Sequence, residues 1–176
     1  DKASQNKRIK DIYTIELNRF RNKFISTLKT AYKGSPYLTK TLDYIHNVLS
    51  EGDANIGKIS SKSIKLFCDY IGLKRKFLYS SENFSTSSNL QRTERITTIT
   101  KSLNSMNYIN SLGGREIYNK GEFRNKVVTL EYIKPKIISY KQKHCKSFIA
   151  NLSIIDLMMN IPPEKICEHV DSYLLL

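Results

Sequence analysis

Three short stretches combine residue types that can do chemistry. In Ser153-Ile-Ile-Asp156 a hydroxyl and a carboxylate lie three positions apart at a helix start. That spacing suits a base or substrate anchor (Asp156) with Ser153 beside it, and equally an S-x-x-D capping box in which both side chains satisfy backbone N–H groups. In Tyr108-Ile-Asn-Ser-Leu-Gly-Gly-Arg-Glu-Ile-Tyr-Asn-Lys120 two adjacent glycines, Gly113 and Gly114, follow an apolar run. Paired glycines let backbone N–H groups approach an anion at a helix start, or else make a turn that needs positive φ. Glu82 follows Ser80-Ser81. It is either a general base or a solvated loop carboxylate.

These residues must be positioned by the elements around them. Residues 8–15 alternate polar and apolar and predict a strand. Helical spacing of Phe20, Phe24, Ile25, Leu28 and Tyr32 predicts a helix over 18–33, stopped by Gly34-Ser35-Pro36. Further helices are expected over 38–49 and 56–72, the latter with Ile64, Phe67, Cys68 and Ile71 inward, with a break at 50–53 between them. Then strand 76–80, a helix to Leu103 opened by Ser88 and Gln91 and burying Ile96, Ile99 and Leu103, strand 106–109, an irregular helix over 115–125 and strand 127–133 alternate. The tail predicts helices over 153–160 and 164–173. Alternation of this kind points to an α/β fold, with a mostly parallel sheet flanked by helices and a helical C-terminal end. With 176 residues, one domain spanning 1–176 is expected. If strands 76–80 and 106–109 are parallel neighbours, Ser81, Glu82, Asn110, Gly113 and Gly114 leave the same carboxyl edge of the sheet, where open α/β sheets bind ligands.

Composition narrows the classes. The chain is 40% hydrophobic and 26% charged, ordinary for a globular protein. No run of about eighteen apolar residues would span a membrane. The opening DKASQNKRIK has no apolar core of a signal peptide. The net charge of +13 raises nucleic-acid binding. Yet the charge is spread along the chain, and Lys outnumbers Arg by 21 to 8, so the residue best at reading bases is the scarcer one. Diffuse Lys excess argues for a solvated surface that tolerates phosphorylated or acidic small substrates. Cys68, Cys145 and Cys167 have no disulfide spacing and fit a reducing, cytoplasmic setting. No HxH, HExxH or CxxC pattern occurs, so no metal site is expected. Adjacent strand residues face opposite ways, so His144 does not serve Cys145 as a base. Neither GxxxxGK[ST] nor GxGxxG is present, and no cofactor motif is evident.

Taken together, YINSLGGREIY (108–118), Tyr140-Lys-Gln142 and FIANLSIIDLM (148–158) resemble the WbqC-like protein family, with supporting matches in KRIKDI (7–12), AYKGSPY (31–37), LYSSE (78–82) and TERITTITK (93–101). The similarity runs in order over nearly the whole chain. Members of that family typically begin with a Met-Gln-Pro stretch rich in aromatics and proline, followed by further strands. This sequence starts at Asp1, so the resemblance implies that an N-terminal portion of the family's domain, and part of its sheet, is missing from it. The family is associated with bacterial surface-polysaccharide (O-antigen type) gene clusters. It implies a cytoplasmic protein acting on an amino sugar or sugar nucleotide, by acyl or aminoacyl (glycyl) transfer from acyl-coenzyme A or from an acidic carrier protein. Glu82 or Asp156 would take the amine proton. Arg95 matches the family's Arg and would clamp a phosphate, in place of a surface pair with Glu94. Asn110, Tyr118 and Gln142 would orient the sugar, with Ser81 and Ser153 nearby, while Tyr108 packs in the core. Rival readings are a non-catalytic sugar-nucleotide binding or assembly protein and, against the charge pattern, a nucleic-acid binder.

Overall fold

A computed structural model describes residues 7–50, 52, 54–143 and 145–176. His144, Glu51 and Asp53 lie outside the described residues, and with them the expected His144–Cys145 geometry and part of the break at 50–53. The protein is α/β, 53% helical, with a small three-stranded mixed sheet. Its described residues up to Lys76, together with Ile137–His169, form one compact unit, and Phe77–Lys136 with Val170–Leu176 form a second.

The first unit is helical. Helices α1 (Leu17–Ala31), α2 (Leu38–Val48) and α3 (Ile56–Tyr70) lie where the apolar period places them. Leu28, Ile45, Val48 and Leu49 bury around Met159 of a later helix, Ile154–Asn160. A second cluster joins Ile71, Leu157, Met158, Ile161 and Ile166, the last from helix Pro163–Val170. Backbone polarity is closed across these helices: buried Thr41 donates its hydroxyl to the Met158 carbonyl at 3.0 Å. Ile64, expected inward on α3, is exposed instead.

Residues 8–15 do not form a strand. They make a 3-10 turn at Ile9–Asp11 and one antiparallel bridge, Tyr13 to Asn55. Among the described residues no strand lies against this segment, and its backbone is met by the start of α3. Asn55 Nδ2 donates to the carbonyls of Lys10 (2.7 Å) and Ile12 (3.3 Å), and its Oδ1 caps the helix by accepting from Lys58 N–H.

The second unit holds the sheet. Strand β1 (Asn107–Ser111) pairs in parallel with β2 (Thr129–Pro135), Asn107 opposite Thr129. β2 pairs antiparallel with β3 (Tyr173–Leu175), and the helix expected over 164–173 ends at Val170, before this strand. The apolar tail has a better use than another helical turn, because Tyr132 and Leu176 exchange backbone hydrogen bonds, both 3.0 Å, along the open edge of β2. The short helices α4 (Ser80–Asn83), α5 (Arg92–Ser102) and α6 (Lys120–Asn125) complete this unit, which makes Ile154–Asn160 α7 and Pro163–Val170 α8. Phe123 is fully buried, stacked on Tyr108 at 5.7 Å and edge-on to Tyr118 at 5.8 Å, over Val128, Leu130 and Tyr132.

Residues 76–80 are not a strand, so β1 has no parallel neighbour there. From Tyr79 the segment turns into α4: Tyr79 N–H donates to Asn83 Oδ1 (2.9 Å) and Tyr79 C=O accepts from Asn83 N–H (2.8 Å). The shared carboxyl edge inferred from two neighbouring strands therefore does not exist in that form. The Ser88–Gln91 capping box is also absent. Helix α5 starts after Gln91, whose side chain makes no cap bond, and Leu103 beyond its end is exposed.

Candidate functional site

The first unit centres its polar chemistry on Asp156. Ser153 caps α7, its hydroxyl accepting from Ile155 N–H at 3.3 Å, so the helix begins where the S-x-x-D pattern sets it. The reciprocal half of the box is missing. Asp156 is one turn in, only 4% exposed, and faces other segments. Its Oδ2 accepts from the Tyr140 hydroxyl at 2.6 Å and from Gln142 Nε2 at 3.0 Å. Gln142 is locked by Ile149, donating to its carbonyl at 2.9 Å and accepting from its N–H at 2.8 Å. The Tyr140 ring is held edge-on by Phe148 (5.3 Å) and His169 (5.6 Å).

Tyr32 interacts with the same carboxylate. Nearby, Lys143 N–H donates to Asn160 Oδ1 at 3.0 Å, and Lys143 Nζ donates to the Gly34 carbonyl. Gly34 has φ +76°, a left-handed conformation that lets the chain leave α1 at this point. The segments 31–37, 140–142 and 148–158, far apart in sequence, thus meet at one buried acid.

Burial first, and then the Asp156 carboxylate, push the Tyr32 and Tyr140 hydroxyls up to about 12. Both phenols are therefore neutral hydrogen-bond donors near neutral pH. The sign of the linkage follows. A tyrosine whose folded pKa exceeds its unfolded value near 10 stabilises the fold fully below pH 10, and that contribution is lost as pH rises toward 12. The urea midpoint is expected to fall steeply across that window, and Tyr140→Phe is expected to flatten the fall. Midpoints measured at pH 8 to 12 that are equally steep in the variant would contradict this.

The second unit holds the other sequence-predicted residues. Neither Gly113 nor Gly114 has positive φ, so the pair is not a left-handed turn. Both lie in a 3-10 turn, Leu112–Glu116. Gly114 is buried against the Asn110 side chain: an added Cβ would sit 2.5 Å from Nδ2 and 2.8 Å from Cγ, whereas one at Gly113 meets nothing. Asn110 Oδ1 in turn accepts from Ser111 N–H at 2.8 Å. Gly113→Ala is expected to leave the melting temperature unchanged or slightly higher, and Gly114→Ala to lower it by about 1–2 kcal/mol equivalent. Equal behaviour of the two in a thermal melt would show that the Asn110 contact is not what requires glycine.

Tyr118 is half-buried, and its carbonyl accepts the Tyr132 hydroxyl at 2.7 Å. Its ring belongs to the aromatic core with Tyr108. Arg95 does not pair with Glu94. Its guanidinium reaches Ser87 Oγ and the Ser80 carbonyl, both 3.4 Å, and ties α5 to the segment bearing Ser81 and Glu82. Both of those residues are exposed. A separate open depression of about 510 Å³, lined by Arg92, Thr93, Glu94, Glu122 and Lys126 among others, contains none of the expected residues.

The candidate residues therefore fall into two groups. Ser153, Asp156 and Gln142 are together in the first unit. Ser81, Glu82, Arg95, Asn110, Gly113, Gly114 and Tyr118 are in the second. Tyr32 and Tyr140 were missed as site residues, although both stand inside stretches that carried the resemblance.

A family model described as the WbqC-like protein family matches residues 1–168. The chain belongs to the WbqC-like family. No curated protein and no solved structure matches it. The segments by which it resembles the family sort by unit: 31–37, 140–142 and 148–158 surround Asp156, while 93–101 and 108–118 build the sheet unit. Among the described residues, no group of three His, Cys, Asp or Glu is placed to hold a metal, and no helix is long and apolar enough to cross a membrane. Cys68, Cys145 and Cys167 are free thiols.

Proposed function

We propose that this WbqC-like protein is a cytoplasmic enzyme of bacterial surface-polysaccharide synthesis that transfers an acyl or aminoacyl group, such as glycyl, to an amino sugar or its nucleotide. The observation that supports this reading is the Arg95 guanidinium reaching Ser87 Oγ and the Ser80 carbonyl, which holds it beside the exposed Ser81 and Glu82 of the same unit. The donor is a thioester of coenzyme A or of an acidic carrier protein. The sugar amine attacks the thioester carbonyl, an N–C bond forms, the C–S bond breaks, and the thiolate leaves. A carboxylate takes the amine proton.

The two acids differ in what they can do. Asp156 is enclosed by its hydrogen-bond donors Tyr140 and Gln142, so in this scheme it holds the first unit's polar network together and takes no proton from the substrate. Glu82 is exposed at the start of α4, where a substrate amine can reach it, and it is the base. Arg95 supports the segment carrying Glu82 and meets phosphate with the guanidinium N–H groups it does not spend on Ser80 and Ser87.

The full burial of Asp156 also favours a second reading, a sugar-nucleotide binding or assembly protein without turnover. A thermal-shift screen of the full chain against nucleotide-linked amino sugars, nucleotide-linked neutral sugars, acyl-coenzyme A and free nucleotides tests both. Stabilisation is expected from the amino-sugar nucleotide beyond that from the free nucleotide, rising with ligand concentration. No stabilisation by any of them would overturn both readings, and equal stabilisation by the free nucleotide would remove the amino sugar as the substrate.

A further inference from the structure

In the first unit, a groove of about 370 Å³ is lined by Ile15, Leu17, Phe20, Leu49, Ile56 and Ile59, among others. We propose that this groove docks an acidic amphipathic helix of a partner protein. The inference does not depend on the transfer reaction.

The groove follows from how residues 7–16 are held. Asn55 pins this segment to the start of α3 through the Lys10 and Ile12 carbonyls, and of its apolar residues Ile12 is the one that is half-buried. Its apolar alternates remain outside. Ile15 is 72% exposed, Tyr13 65% and Ile9 63%, with Ile9 lying over Gly57 of α3. Phe20, stacked on Phe24 at 5.5 Å, adds a ring that is 55% exposed. Large apolar side chains exposed side by side around a concavity mark a docking surface. A groove between elements takes the i, i+3/i+4, i+7 side chains of a helix.

Charge chooses the occupant. Residues 7–23 and 54–62 carry eight Lys or Arg against two Asp or Glu, and counting Glu51 and Asp53 leaves the balance basic. An acidic helix is steered to segments with this balance and held there by complementary potential. A second copy of this chain is disfavoured by its own charge of +13. A bilayer would be met by protruding residues on a flat face, whereas this surface is hollow between Ile15, Phe20 and Ile56.

The test uses the full chain and a fluorescein-labelled peptide of about 18 residues, with Leu and Phe on one helical face and Glu on the other. A second peptide has every Glu replaced by Lys. The acidic peptide is expected to bind with a dissociation constant of order 10 µM, weakening as salt rises from about 50 to about 300 mM. Ile15→Glu and Phe20→Glu, two separate variants whose circular-dichroism melts should match the wild type, are each expected to weaken binding at least about tenfold. The inference is overturned by equal binding of the Lys peptide, or by acidic-peptide binding that neither variant weakens. It is also overturned if the acidic peptide fails to bind, whether or not the same variants abolish sedimentation with anionic phosphatidylglycerol vesicles or a concentration-dependent dimer seen by light scattering. Loss of either in the variants would give the groove to a membrane surface or to a second copy.

Discussion

Replacing Asp156 with alanine is expected to destabilise the protein by about 3 kcal/mol, read as a shift of the urea midpoint at unchanged slope. The size comes from what is left behind. Tyr140 and Gln142 donate to one carboxylate oxygen, at 2.6 and 3.0 Å, in a place with almost no water access. Removing the acceptor strands two donors, each costing on the order of 1–3 kcal/mol when buried without a partner. The damage spreads, because Gln142 fixes Ile149 and Tyr140 packs on Phe148 and His169. Asp156→Asn keeps the shape and one acceptor, and should cost less than half as much. A midpoint shift under about 1 kcal/mol equivalent for the alanine variant would mean that this network does not hold the unit together.

Glu82→Gln is expected to lower the rate of acyl transfer about 100-fold or more while leaving stability within about 0.5 kcal/mol of wild type. The separation is what makes the variant informative. Glu82 is exposed, and the contact that holds it in the fold is its backbone N–H donated to the Tyr79 carbonyl at 3.0 Å, which glutamine keeps. Glutamine retains the hydrogen-bonding shape and loses the ability to take a proton. The rate should be measured at saturating amino sugar, so that a change in binding is not read as a change in chemistry. An undiminished rate would remove Glu82 as the base and leave the proton to solvent or to another group.

The helices α1, α2, α3 and α7 were legible because each repeats its apolar residues at helical spacing and ends at a turn signal such as Gly34. Local pattern failed where a segment's partner is distant. Residues 8–15 and 76–80 have strand composition, yet 8–15 spend backbone groups on Asn55 at the start of α3 and 76–80 run into the turn at Asn83. Tyr173 reads as the last residue of a helix until the free edge of β2 is known. The same limit applies to the site. Ser153 was visible as a cap, yet nothing adjacent to Asp156 in sequence announces that its carboxylate looks back to Tyr140 and Gln142 rather than to its own helix start. At Gly113-Gly114 the composition suggested positive φ. The real demand is space for the Asn110 side chain, which depends on the turn folding back over β1.

The most direct measurement mixes the full chain with a glycyl or acetyl thioester of coenzyme A and a nucleotide-linked amino sugar, and follows by mass spectrometry both free thiol and N-acylated sugar. The expected result is one thiol released for each amide formed, at a rate that depends on enzyme concentration and collapses in Glu82→Gln. Thiol release with no N-acylated sugar, or no reaction under conditions where the amino-sugar nucleotide demonstrably binds, would contradict the transferase reading and favour a binding protein.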